Sequence, residues 1–401
     1  MLRRLAASSI AAIVLFAAVP ARTARRPHYG GLLRMEAGTV LTSLDLDAPA
    51  TSPEQASAKN QIDSLIYRGR DPDGAFSGSA GSGAFKISSW QPGKQLLLQA
   101  NENFRDGRPF VDAVEITMGR SVHDRLLDLE LNKVDLTPIP PQDARHAAER
   151  GVRISQSQPD ELLAIVFLDN RAGVATAQAR QALSLSIDRA SIVTFILQKV
   201  GEPTGGLLPQ WSTGTSFLFS TTPDSQRAKE LWSQITPSPK FVLGYDSADP
   251  LEQSVAERIV VNAKETGISI VTAGSTLPGS ASKPISTGAP ANPNALLVRV
   301  RLSSSNPATA LNDALRDFSS LGVSGINVDP LPETASAEDI YKREMELVNT
   351  FRIVPLVWLP QVYGLSARVR NWVAPGPGQT WPLADVWLDP NTQDNQTKEP
   401  E

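Results

Sequence analysis

Cysteine is absent from the 401 residues. Its absence excludes disulfides, thiolate nucleophiles, cysteine-held metals and a lipid-modified amino-terminal cysteine. Histidine is nearly as scarce. His28, His123 and His146 are the three imidazoles, and none stands at metal-ligand or catalytic spacing from another. Each is expected to be a solvated surface residue. The chain also lacks H-x-x-x-H and G-x-S-x-G patterns, and the GSAGSG run at 78–83 lacks the Lys-Ser/Thr that would complete a phosphate cradle. The carboxylate pairs Asp45/Asp47 and Asp71/Asp73 fall in turn-forming stretches. With no nucleophile, base and orienter to name, the sequence predicts no enzyme, no metal site and no cofactor.

No basic stripe interrupts a balance of 38 Lys and Arg against 42 Asp and Glu. That argues against partners such as nucleic acid or an anionic membrane surface. One apolar run occurs, at 5–19, broken only by Ser8 and Ser9. Arg3 and Arg4 precede it, and the small-residue sites Val19-Pro20-Ala21 and Arg22-Thr23-Ala24 follow. Residues 1–24 therefore read as a secretory signal, with a run too short to favour a permanent span. Its removal takes at least two positive charges, moving the formal charge from −4 to about −6 by counting fixed charges. A freely diffusing, monomeric periplasmic protein is expected.

What remains is a chain with 41% hydrophobic residues, enough to bury the cores of two or three domains. Residues 165–168, IVFL, read as a strand ended by Asp169-Asn170. Ala179, Ala182, Leu183, Ser186 and Ile187 then recur three and four apart, on one helix face. Ser191, Ile192, Phe195 and Ile196 begin a second short helix that Gly201 stops, and Gly205-Gly206 marks a turn with close backbone approach. Further on, strands are predicted at 240–245, 268–272, 295–302 and 353–359, and helices at 223–232, 250–266, 308–320 and 337–350. Such alternation predicts an α/β fold with parallel strands. Earlier in the chain, residues 29–44 read as a first strand and its turn, 49–59 as a polar connection and 60–67 as a short helix. Strands at 84–90, 95–100 and 113–117 follow, with a helix at 123–133 and another at 142–150.

Several blocks carry a family resemblance. Ala179-Arg180-Gln181-Ala182-Leu183, Ile187-Asp188-Arg189, Gly201-Glu202-Pro203 and Leu207-Leu208-Pro209 together resemble the central motif of extracytoplasmic solute-binding proteins of family 5, the peptide- and nickel-type receptors of ABC importers. GGLLR at 30–34 with TSLD at 42–45, GSGAFKI at 81–87, NENFRDGRPFVDAVE at 101–115 and the closing segment from Arg352 to Trp372 fall in the family's order. The resemblance implies a two-lobed, type II periplasmic binding protein-like fold. Residues 25–167 with 352–390 would form the first lobe, 168–351 the second and 391–401 a polar tail, with a hinge of crossing strands near Leu168 and Arg352. Where the family places an accessory subdomain, only about 51–81 remains, which implies a more open cleft.

The function implied is capture of a small polar solute, with peptide as the family default, for delivery to the permease subunits of an ABC transporter. A descendant acting as an interaction or chaperone-like protein is the alternative. Expected ligand contacts are Thr42, Ser43 and Leu44 after the first strand, and the aromatics Trp211, Trp358 and Tyr363. The family's peptide-anchoring segment corresponds to 299–307, where Asn306-Pro307 survives but the anchoring Asp does not. Arg299, Ser303, Ser304 and Ser305 take its place, and Arg299 or Arg301 suggests an anionic group instead.

Overall fold

The computed structural model describes residues 26–45, 50, 53–67, 69–70, 76–77, 82–168, 176–275 and 293–390. The signal segment, the DPDG sequence at 71–74 and the polar tail lie outside the described residues, as does most of the 78–83 glycine run. Ten strands form the body of one sheet: β1 (Leu32–Glu36), β2 (Phe85–Gln91), β3 (Gln95–Ala100), β4 (Ala113–Thr117), β5 (Leu136–Ile139), β6 (Arg153–Phe167), β7 (Phe241–Asp246), β8 (Ile270–Ser275), β9 (Ala295–Arg301) and β10 (Ile353–Leu365). Their order across the sheet is β8-β7-β9-β6-β10-β5-β1-β4-β3-β2, and the short strand Glu202–Pro203 also pairs with β10.

The sheet is mixed rather than parallel throughout. β7 runs parallel to β8 and β9, and β1 runs parallel to β4 and β5, but β6 is antiparallel to both β9 and β10. The two central strands are the longest, and each serves both halves. β9 pairs with residues 161–167 of β6, whereas β5 pairs with 362–365 of β10. Only the apolar end of β6 carries a strand pattern, so the sequence predicts 165–168; RISQSQPD ahead of it is polar, yet it is paired back to Arg153. β10 likewise continues past Leu359 to Leu365. Leu168 and Arg352 sit at the far ends of these strands, where Phe167 N donates to Arg352 O.

Helices cover both faces. α1 (Pro53–Ile66) includes residues expected to be a polar connection; Lys59 pairs with Asp63 one turn on, and Ile62, Leu65 and Ile66 are buried in the first apolar cluster. α2 (Val122–Glu130) and α3 (Ala144–Glu149) follow in the same half. α4 (Ala177–Ser186) buries Ala179, Ala182 and Leu183, the predicted face, and its Thr176 cap accepts from Ala179 N at 3.2 Å. The second short helix is instead one α turn at Arg189–Ser191 continued by a π turn at Ile192–Ile196. That geometry rotates Phe195 outward, to 73% exposure, beneath the Arg258 guanidinium. α5 (Ser225–Ser233), α6 (Pro250–Glu265), α7 (Pro307–Ser320) and α8 (Ala337–Val348) begin at the side-chain caps Asp224, Asp249, Asn306 and Ser336.

The Gly205-Gly206 turn is held as its glycines suggest. A Cβ on Gly206 would stand 2.7 Å from Glu344 Oε1, and one on Gly205 2.6 Å from Ser220 O. Glu344 of α8 is buried, accepts from the backbone N–H of Leu207 and, at 2.9 Å, from that of Leu208. Burial pushes its carboxyl up to about 7, opposed by those two donors.

Candidate ligand-binding site at the strand crossing

The ladder between β6 and β10 breaks where the two halves of the sheet meet. Leu359 faces Glu161, Pro360 faces Pro159 and Val362 faces Gln156. Proline on both strands explains part of this, since neither ring nitrogen can donate to the ladder. Asp160 and Gln361 are bypassed by the register, and their side chains meet, Gln361 Nε2 donating to Asp160 Oδ2 at 2.6 Å. Gln361 N donates to Ser157 Oγ at 2.9 Å. Such bulges redirect side chains and recur beside functional sites.

A cluster of charges surrounds the break. Arg299 donates to Glu161 through Nε at 3.1 Å and through Nη2, and to Asp249 Oδ2 through Nη1 at 2.7 Å. Asp249 uses its other oxygen to cap α6, accepting from Leu251 N at 2.8 Å. Arg301 reaches Glu161 Oε1 at 3.4 Å and Ser57 Oγ of α1 at 3.0 Å, so it links strand β9 to the opposite half. Burial alone raises the Glu161 carboxyl, but the guanidinium groups of Arg299 and Arg301 outweigh it and hold the group below its ordinary range. Burial likewise pulls Arg299 down, and Glu161 and Asp249 together lift it well above its usual value. Arg299 still keeps 27% of its side-chain surface accessible. These ion pairs are part-buried and reached by solvent rather than sealed in a core.

Aromatic groups join this cluster through their polar atoms. Tyr363 OH donates to Gln361 Oε1 at 3.0 Å and accepts from Trp381 Nε1 at 3.2 Å. Burial pushes the Tyr363 phenol up to about 12. Trp381 N donates to Gln61 Oε1 at 2.7 Å, which ties the carboxy-terminal segment to α1. From the other side, Trp211 Nε1 donates to Pro159 O at 2.7 Å.

The expected contact residues fare differently. Arg299, Tyr363 and Trp211 converge on the crossing. Arg299, however, is already shared by two carboxylates, which removes the basis for an anion site there. Trp358 is 1% exposed and packs with Leu162, Ala164 and Leu311 in the core of the second half, offering no surface to a ligand. Thr42 is exposed, Ser43 Oγ accepts from Asp45 N at 3.1 Å in a local turn, and Leu44 packs on the first half's core. Ser303 Oγ is bonded to Asp313, Ser304 Oγ accepts from Asn306 N at 3.1 Å, and Ser305 is exposed. The carbonyl of Ser303 lies so near Gly378 that a Cβ there would approach to 2.5 Å. Asp160, Glu161, Asp249, Gln361, Trp381 and Ser57 were missed. Pro159, near the end of the polar run RISQSQPD, and Pro360, inside the apolar run of β10, were the available signal. His28, His123 and His146 are all exposed.

Comparison with known proteins assigns this architecture. Over 194 residues the chain is 26% identical to the probable D,D-dipeptide-binding periplasmic protein DdpA of Escherichia coli, covering 47% of this chain and 38% of that protein. The curated relatives it matches are spanned over only 23% to 39% of their own length. Among solved structures, the ABC transporter substrate-binding protein CtaP of Listeria monocytogenes superposes with a TM-score of 0.61 at 20% identity, over 77% of this chain and 66% of that one. AgaA of A. tumefaciens R10, in complex with agropinic acid, superposes with a TM-score of 0.64 at 14% identity, over 90% and 99%. These neighbours share the two-lobed periplasmic binding protein fold. The family model for bacterial extracellular solute-binding proteins, family 5 (middle), matches residues 43–279, more than half of the sequence, and the chain belongs to that family.

Proposed function

We propose that this chain captures a small polar solute by closing its two lobes about the crossing strands and presents it to the permease subunits of an ABC importer. It would act as a monomer in the periplasm, by binding rather than by catalysis. The observation that carries the reading is the strand crossing itself. The two shared strands slip register between Pro355 and Val357 and twice more between Leu359 and Val362, and at this last place a wet, polar cluster is lined from both halves, by Ser57 on one side and Arg299 and Arg301 on the other. Lobe closure needs such a connection. On this reading the hinge lies within the strands, at 159–161 and 359–362, rather than at their ends near Leu168 and Arg352. Thr42, Ser43, Leu44, Trp211 and Ser303 to Ser305 remain its proposed rim.

The alternative, an interaction or chaperone-like descendant, draws support from contacts that already cross between the halves, Arg301 to Ser57 and Ser303 against Gly378. A thermal-shift screen of the mature protein against peptides, amino acids, sugars and metals separates the two readings. A true solute raises the melting temperature by mass action, and small-angle scattering should show compaction with it. A silent screen over that panel would favour the alternative.

A further inference from the structure

Asp160 is the residue that the solute-capture reading leaves without a purpose. It is 0% exposed, and its Oδ1 receives no hydrogen bond, while Oδ2 takes the Gln361 amide. A carboxylate oxygen buried without a donor is costly, and the Arg301 guanidinium offsets that cost only through space, with no hydrogen bond to the free oxygen. Arg301, the guanidinium that acts on it most, aims its two Nη groups at Ser57 and Glu161. Within the cluster three carboxylates, Asp160, Glu161 and Asp249, face two guanidinium groups, Arg299 and Arg301, leaving one negative charge uncompensated. Trp211, Tyr363 and Trp381 are hydrogen-bonded to this crossing or to its partners. Aromatic side chains beside a spare negative charge suit a cation, since their ring faces attract positive charge.

We propose that Asp160 reads a protonated amine of the bound solute, its free oxygen accepting from the ammonium at the strand crossing. This rests on the solute-capture reading and narrows it to amine-bearing ligands. It also replaces the anion that Arg299 or Arg301 suggested. An ammonium would supply the missing donor and the missing charge together, and the bulge would serve to aim Asp160 away from the ladder.

The test uses the mature protein, unfolded and refolded to strip any carried solute. Trialanine, lysine and 1,4-diaminobutane are each titrated against their N-acetylated forms, by thermal shift and calorimetry. At least one free amine should bind, with its acetylated partner at least ten-fold weaker. Asp160→Asn, which is isosteric and keeps an acceptor for Gln361, should lose ten-fold or more for the amine; Lys342→Ala, on the exposed face of α8 away from the crossing, should change affinity less than three-fold. Equal affinity of amine and acetylated form, an unaltered Asp160→Asn, or silence of all three amines would each overturn the proposal. Binding of a sugar or another neutral solute alongside silent amines would overturn it while leaving solute capture standing.

Discussion

Strands β6 and β10 change character along their length. At 162–167 and 353–359 they are apolar on both faces, one face packed on α4 and α6 and the other on α7 and α8. Burying each such Leu, Ile or Phe side chain stabilises the fold by about 1.5–3 kcal/mol. At 156–161 and 360–363 the same two strands carry Gln156, Asp160, Glu161, Gln361 and Tyr363, lose register twice and hold ion pairs in place of close-packed hydrocarbon. Burying those charges costs desolvation that the pairing only partly offsets. One stretch of a strand pair stabilises the molecule, and the next stretch spends stability on geometry.

Breaking the apolar stretch should have the largest effect. Trp358→Ala leaves a cavity in the second core and should cost about 3–5 kcal/mol, read as a fall in the urea midpoint with an unchanged slope. A loss under about 1 kcal/mol, on the same scale, would mean the ring is not packed as described. Next in size is a buried carboxylate away from the crossing. Burial raises Glu344 from an ordinary 4.5 to about 7, so the folded state binds its proton more tightly than the unfolded chain. Its contribution is full below about pH 4.5 and disappears as pH rises through about 7, a swing on the order of 3 kcal/mol. Asp160 and Glu252, pushed by burial to about 6 and about 7, act in the same direction. Glu344→Gln should therefore flatten the stability profile between pH 5 and 8, and an unchanged slope would contradict the assignment.

At the crossing, Glu161→Ala strips Arg299 of one of its two carboxylates. Because Arg299 keeps Asp249 and some solvent, the expected loss is about 2 kcal/mol, below that of a sealed ion pair. The double variant with Arg299→Met should recover part of it, which a thermal double-mutant cycle would read. Smallest of all is Ser57→Ala. It removes one exposed contact between the halves and should change stability by less than about 0.5 kcal/mol. A larger loss would show that the halves are locked together rather than hinged.

Much of this was legible in the chain before any coordinates. Apolar periodicity placed α4 and α6 to α8, because a helix that must bury one face repeats it every three or four residues. Gly205-Gly206 could be read as a close approach because a missing Cβ has few other uses in such a turn. The polar half of β6 and the first turns of α1 were not legible. In both, pairing or packing with distant chain stabilises residues whose own pattern says loop.

The sequence by itself determined the composition of the cores, the extent of α5 to α8 and the family, since these rest on local patterns and on motifs in order. Only the tertiary structure decided that Asp160 and Gln361, 201 positions apart, are both set out of register and meet, or that Arg299 is already claimed by Glu161 and Asp249. A register break is a property of two strands at once, and the partner of a charge is chosen by folding, so neither is written in any single stretch of chain.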